Sequence, residues 1–182
     1  MLTINAERLL ADLATLRKIG GSGRGVVRQA FTATDMEGRR WLAGRMQEAG
    51  LRPVRDEVGN LFGIAAGRGW LDGAFGVICG LEVARAAQEA GVGGVSVVSF
   101  ADEEGTFAPL MGSRHWTGMQ KLDKLRDHAD VKGRCLGETL AEIPELRGAG
   151  GVPCDIFRAY IGPHIEQGPT LDLAQEDIGV VQ

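Results

Sequence analysis

Cysteine is scarce in this 182-residue chain: Cys79, Cys135 and Cys154 are odd in number and never spaced C-x-x-C. That leaves no basis for a disulfide framework, and the three thiols are expected to be reduced, mostly packing residues. No apolar run approaches the roughly 18–20 residues needed to span a bilayer, so no membrane segment is expected. The first residues, Met1-Leu2-Thr3-Ile4-Asn5-Ala6-Glu7-Arg8, lack a basic region feeding an apolar stretch. No secretory signal is therefore visible, and a cytoplasmic location is expected. Positive charge is not in excess either: 20 Lys+Arg stand against 24 Asp+Glu, a net charge of −4. A nucleic-acid partner would normally demand a basic stripe, so none is expected. Aromatics make up only 5%, but hydrophobic residues reach 44%, enough for one core of ordinary size and too much for a disordered chain.

Glycine is the one residue in marked surplus, 28 of 182, scattered without a period. Such scattering suits a loop-rich α/β protein in which backbone closely approaches a site. Asn5 can cap a helix over 6–18, with Leu9, Leu10, Leu13, Leu16 and Ile19 forming an apolar face. Thr34 and Glu37 have capping-box spacing for a second helix that stops at Gly50. Residues 51–58 and 61–65 resemble two short strands turning at Gly59-Asn60, and 73–90 a well-buried helix. Residues 95–100, Val-Ser-Val-Val-Ser-Phe, form a continuous apolar run expected of a central strand covered on both faces. Further helices are expected over 110–119 and 136–146, and a last strand over 156–161. Helix and strand alternate, so the class is α/β with a largely parallel sheet. With no repeat or linker, 1–182 reads as a single domain.

Three segments could carry chemistry. Asp102-Glu103-Glu104-Gly105 follows the buried strand, at the strand end where α/β proteins place their ligands. Consecutive carboxylates repel one another; they suit a metal ligand and a general base, or else a solvated acidic turn. Asp72, in Leu71-Asp72-Gly73-Ala74-Phe75-Gly76, sits where a helix begins. It can cap that helix, or bridge two metal ions while Gly73 and Gly76 let other backbone approach. Gly162-Pro163-His164-Ile165-Glu166-Gln167-Gly168-Pro169 is a rigid polar loop whose His164 is a candidate metal ligand. His115 and His128 are expected to be hydrogen-bonded or surface groups. Gly20-Gly21-Ser22-Gly23-Arg24-Gly25 is no phosphate loop, since no strand precedes it, and Ser113 lacks a nucleophile elbow.

In order, Asp-Gly-x-x-Gly, Asp-Glu-Glu-Gly and His-Ile-Glu-Gln-Gly-Pro resemble the hydantoinase/carbamoylase family of metal-dependent amidohydrolases. That family includes N-carbamoyl-L-amino-acid hydrolase, β-ureidopropionase and allantoate amidohydrolase, relatives of zinc aminoacylases and peptidases. The last motif is the most specific, and Val58-Gly59-Asn60-Leu61-Phe62-Gly63 and Gly112-Ser113-Arg114 extend the likeness. The resemblance implies a three-layer α/β/α zinc-peptidase-like catalytic domain, and two divalent ions (Zn, or Mn, Co or Ni). It implies Asp72 as the bridging carboxylate, Glu103 as general base, Glu104 and His164 as metal ligands, and Gln167 in the substrate pocket. The implied reaction is hydrolysis of a linear amide or ureido C–N bond in a small N-carbamoyl or ureido acid, by an enzyme that is a homodimer when intact.

The chain departs from the family pattern in two places. A strand ending in Gly-Ser-His-x-Asp-Thr, whose His is a metal ligand, should precede Asp72, but Ala65-Ala66-Gly67-Arg68-Gly69-Trp70 runs straight into Leu71. About five residues reach roughly 17 Å when extended, too little for a strand and its turns. The lid and dimerisation domain that carries the family beyond Gly179 is also missing, so the expected fold is an incomplete catalytic domain. On this view each ion keeps two protein ligands of three, and 95–100 outlasts 61–69 in amide protection. An aminoacylase or dipeptidase, or a non-catalytic remnant that associates with an intact homologue, are the alternatives.

Overall fold

The structure, a computed structural model, describes residues 2–65 and 74–180. Helix α1 (Ala6–Lys18) starts where the Asn5 side chain accepts the Arg8 N–H at 3.0 Å. Leu9, Leu13 and Leu16 pack inward, whereas Leu10, one position round the helix from Leu9, is exposed. The glycine-rich 20–25 segment folds into a minimal hairpin of β1 (Gly21–Ser22) and β2 (Gly25–Val26). Helix α2 (Ala33–Glu48) is capped by Thr32, not Thr34: Thr32 Oγ1 accepts from Asp35 N, and the Asp35 carboxylate accepts from Phe31 N at 2.8 Å. The expected capping box thus forms two residues upstream, because Phe31 is buried in the core and fixes the chain's entry there. Gly50, at φ 73°, ends the helix as its composition implies.

Strands β3 (Arg52–Arg55) and β4 (Leu61–Ile64) form the expected hairpin, and after α3 (Ala74–Glu89) strand β5 (Val97–Ser99) pairs with β4. The sheet order is β3-β4-β5 and both pairings are antiparallel. The largely parallel sheet expected from helix–strand alternation is therefore not found among the described residues. Alternation dictates layering but not direction, and the β3–β4 turn is too short for a parallel crossover. The same order makes β4, not β5, the middle strand. The poor protection expected of 61–69 does not follow from this pairing for Leu61–Gly63, which have a strand on each side; 66–69 lie outside the described residues.

Side chains alternate across this sheet as the two-residue period requires. Leu61 and Val97 face α1, α2 and α3, packing on Leu42, Met46, Ile78 and Leu81. Phe62 and Val98 face the opposite way, onto Trp116 and Val152. Helices thus cover one face, and α4 (Met111–Trp116) with the 152–157 segment covers the other. A third cluster, around Met111, Leu125, Leu136 and Leu140, fills the end of the sheet under α5 (Leu136–Glu142). Both α4 and α5 are shorter than expected; α5 stops because Pro144 starts a separate 3₁₀ turn over Pro144–Leu146. The strand expected over 156–161 does not form: Cys154–Ile156 is a 3₁₀ turn, and Tyr160 and Ile161 are exposed. Its β-branched and aromatic pattern is not sufficient, since a strand needs a paired neighbour, and no strand lies beyond β5 among the described residues. The short α6 (Thr170–Ala174) follows. All three cysteines are free, and no helix among the described residues is long and apolar enough to cross a membrane.

Two polar networks hold these parts in place. Between α1 and α3, the fully buried Glu82 accepts from Arg8 Nε and Nη2, both at 2.7 Å, and from Asn5 N at 2.9 Å. Beside it, Arg85 Nη1 lies 2.6 Å from Asp12 Oδ2, and Arg45 reaches the same carboxylate at 3.0 Å. At the sheet's end, the buried Asn60 side chain donates to Asp56 at 2.7 Å and Gly112 O at 3.0 Å, and accepts from Ala101 N at 2.8 Å. Burial pushes the Asp56 carboxyl up, although its bonds from Asn60 and Val58 oppose this.

Gly112 has no room for a side chain, since a Cβ there would meet Asn60 Oδ1 and lie 2.5 Å from Ala101 N. Gly112→Ala is therefore expected to cost about 1–3 kcal/mol or more, read as a lowered urea midpoint with unchanged slope. Burial alone would raise the Glu82 carboxyl, but the Arg8 bonds, the Asn5 amide and Arg85 together hold it below its ordinary 4.5. Its stabilisation is fully present above that value and is lost as pH falls through the lower folded value. Glu82→Gln should cost about 1.5–3 kcal/mol at neutral pH by removing the charged acceptor of the Arg8 and Asn5 bonds, while Arg85 keeps Asp12. It should also flatten the acid limb of a Tm-against-pH curve; an unchanged limb would contradict the assignment.

Candidate active site

The exit of β5 separates three carboxylates that are adjacent in sequence. Asp102 turns inward at φ 51°, and its carboxylate accepts the amides of Thr106, Phe107 and Ala108 at 2.5, 2.8 and 3.0 Å. Three amides offset the left-handed backbone there, a conformation that ordinarily costs a non-glycine residue about 1–3 kcal/mol. Asp102 therefore builds the turn, while Glu103 and Glu104 are left on the exposed side. The mutual repulsion read from the sequence is relieved by this division of direction.

The 162–169 loop comes to the start of α3. A Cβ on Gly76 would lie 2.9 Å from Pro163 O, so the absence of a side chain at Gly76 permits that approach. This is the role expected of Gly76; Gly73 and Asp72 lie outside the described residues. His164 Nδ1 lies 2.6 Å from Ile165 O. A carbonyl only accepts, so Nδ1–H donates and Nε2 keeps its lone pair, the tautomer a metal-ligating imidazole needs. Glu166 is committed elsewhere, accepting the Thr170 and Leu171 amides at 2.9 and 3.0 Å.

Glu103, Glu104, His164 and Gln167 line one cleft of about 1100 Å³, with Phe75 and Gly76 from the first turn of α3. Their donor chemistry suits a divalent ion, but their arrangement does not: among the described residues no three His, Cys, Asp or Glu side chains cluster closely enough to hold one. The described residues thus do not by themselves fit a two-metal centre.

The remaining candidates behave as background. His115 Nδ1 lies 3.2 Å from Gln120 O and Nε2 3.4 Å from Glu57, while His128 Nδ1 lies 3.3 Å from Phe107 O. Ser113 donates to Leu110 O within α4. One cleft element escaped the sequence reading, the turn from Asp130 to Arg134. Its signal is Asp130-Val131-Lys132-Gly133, an aspartate followed three residues later by glycine, which is a common turn pattern.

The sequence profile of the peptidase family M20/M25/M40 matches residues 46–181. An N-carbamoyl-L-amino-acid amidohydrolase of Rhizobium meliloti is 34% identical over 98% of this chain and 49% of its own length. An allantoate amidohydrolase of Escherichia coli is 29% identical over 86% of this chain and 44% of its own. Among solved structures, an amidase of the hydantoinase/carbamoylase family from Burkholderia phymatum has a TM-score of 0.83 and 39% identity, covering 96% of this chain and 48% of that one. The chain spans about half the length of the curated relatives it matches. The Rhizobium alignment runs over 203 positions, more than the 182 residues present, so the relative has positions with no counterpart here. The resemblance read from the motifs and the expected catalytic-domain fold are both borne out, and the chain belongs to the peptidase family M20/M25/M40.

Proposed function

We propose that these elements belong to a metal-dependent amidohydrolase that cleaves a linear amide or ureido C–N bond of a small N-carbamoyl or ureido acid. The observation that carries this is the convergence of Glu103, Glu104, His164 and Gln167 on one cleft. The amidohydrolase names of the similar Rhizobium and Escherichia proteins support the reaction class. In this reading Glu103 takes the proton of the attacking water and delivers it to the leaving nitrogen. Asp72, Glu104 and His164 are the metal-facing residues, and Gln167 contacts substrate. In this reading the intact enzyme is a cytoplasmic homodimer acting on a small molecule.

The 182 residues alone are proposed to be impaired. Catalytic zinc sites usually keep three protein ligands and one open position, and the described residues assemble no such group. A second reading, association with an intact homologue, is favoured by the exposed Ile161, Ile165, Leu173 and Ile178.

Metal analysis after dialysis and an ammonia-release assay test both parts. The chain alone is expected to retain less than one equivalent of metal and to release no ammonia from N-carbamoyl amino acids or allantoate. A chain restored with a Gly-Ser-His-x-Asp-Thr strand before Leu71, and joined to the second half of the Rhizobium relative, is expected to bind two equivalents and turn over. In it, Glu103→Gln should lower kcat by about 100-fold or more. Two retained equivalents with Glu103-dependent turnover by the unmodified chain would overturn the impairment. Turnover of N-acyl amino acids or dipeptides in place of carbamoyl substrates would favour the aminoacylase alternative.

A further inference from the structure

Val26, Val27 and Phe75 are 38%, 61% and 42% exposed, and all three line the cleft that holds Glu103, Glu104, His164 and Gln167. A single exposed apolar side chain is ordinary on any protein surface. Three that meet on one concave site, from elements far apart in sequence, mark a place where hydrocarbon is to be covered. Val26 ends β2 and Val27 follows it, whereas Phe75 lies in the first turn of α3.

Both supports are held in place by the fold. Val27 N donates to Gly20 O at 2.8 Å, and Val26 pairs with Gly21 across the hairpin. Gly20, at φ 79°, permits that return, since a Cβ there would lie 2.5 Å from Val27 O. The next residue, Arg28, is tied to the end of α1 through its bond to Leu16 O at 2.6 Å. On the other side, Val77, Ile78 and Leu81 fix α3 in the core directly behind Phe75. The apolar groups are thus positioned before a ligand arrives, so a ligand that covers them does not have to order them first. The polar donors of the cleft suit the reacting ureido end of a ligand, and the apolar groups suit a different part of it. A ligand that is polar throughout, such as allantoate with its second ureido group, would set unpaired polar atoms against hydrocarbon. An aliphatic side chain would cover that hydrocarbon at no such cost.

We infer that Val26, Val27 and Phe75 form an apolar specificity subsite, which selects N-carbamoyl amino acids with aliphatic side chains over N-carbamoylglycine and over allantoate. This rests on the amidohydrolase reading of the cleft. The test is a titration of the 182-residue chain, followed by backbone amide shifts, with N-carbamoyl-L-leucine, N-carbamoylglycine and allantoate. The leucine compound is expected to bind about tenfold more tightly than the other two, the return on partly covering a four-carbon side chain. Val27→Thr combined with Phe75→Ala should bring the leucine compound down to the level of the glycine compound. Val92→Thr, at an exposed valine outside the cleft, should leave the preference intact. Equal binding of the leucine and glycine compounds, or tighter binding of allantoate, overturns the subsite while leaving the cleft as the binding site. So does a preference that survives the double substitution. Shifts at Val26, Val27 and Phe75 that depend on protein concentration without ligand would assign these groups to a second copy of the chain, and that also overturns the subsite. No shift at Glu103, Glu104, His164 or Gln167 with any of the three compounds overturns the reading of the cleft itself.

Discussion

The placement of the acidic wall depends on one buried amide. Asn60 is fully buried, and its side chain joins three segments that are distant in sequence: the β3–β4 turn, the exit of β5 and the first turn of α4. A buried amide leaves no tolerance for slippage, because any partner lost would stay unsatisfied away from water. Its bond from Ala101 N therefore fixes the chain just past β5, and the residue after Ala101 is Asp102. Once Ala101 is held by Asn60 on one side and Gly112 N on the other, at 2.8 and 2.9 Å, the chain has little choice but to turn sharply. Asp102 makes that turn and Glu103 and Glu104 emerge from it.

A second constraint sets where the opposite wall stands. Helix α3 is tied to α1 through Glu82 and Arg8, and its apolar face through Val77, Ile78 and Leu81 is pressed against β4 and β5. With its axis so held, the first turn of the helix becomes a fixed platform, and Gly76 there accepts the close approach of Pro163. The His164 loop is thus located by a contact with a rigid helix, although the loop itself has no strand to anchor it.

Local features were legible in the sequence, and those needing distant partners were not. Asn5 as a cap, the stop at Gly50 and the hairpin around Gly59-Asn60 rest on interactions within a few residues, and the structure has them all. Choosing Thr32 over Thr34 as the second cap required knowing that Phe31 is buried, which is tertiary information. Strand direction and the missing 156–161 strand depend on which neighbours are available, and no local pattern reports that. Within the site, the family resemblance named Glu103, Glu104, His164 and Gln167 as candidates, and all four line one cleft. It did not reveal that Asp102 is consumed in building the turn, because three identical charges in a row carry no mark of which one faces inward.

The two walls differ in how firmly they are built, and this bears on why, among the described residues, suitable donors line a cleft without clustering as a metal centre. On the acidic side, Asn60, Asp102 and Gly112 are buried and fix the backbone through a connected set of hydrogen bonds. On the other side, residues 164–170 are exposed, and His164 and Glu166 bond to Ile165, Thr170 and Leu171, all within five residues of their own positions. An ion held by both walls would order an exposed loop against a fixed strand exit. Each loop residue so ordered costs about 1–2 kcal/mol of backbone entropy, charged against the affinity of the first ion bound. A preformed centre avoids that cost by holding its ligands before the metal arrives. Among the described residues, His164 has its ring orientation set in advance by the bond to Ile165 O. The weak point of the cleft is accordingly the support of the His164 loop rather than the chemistry of its donors.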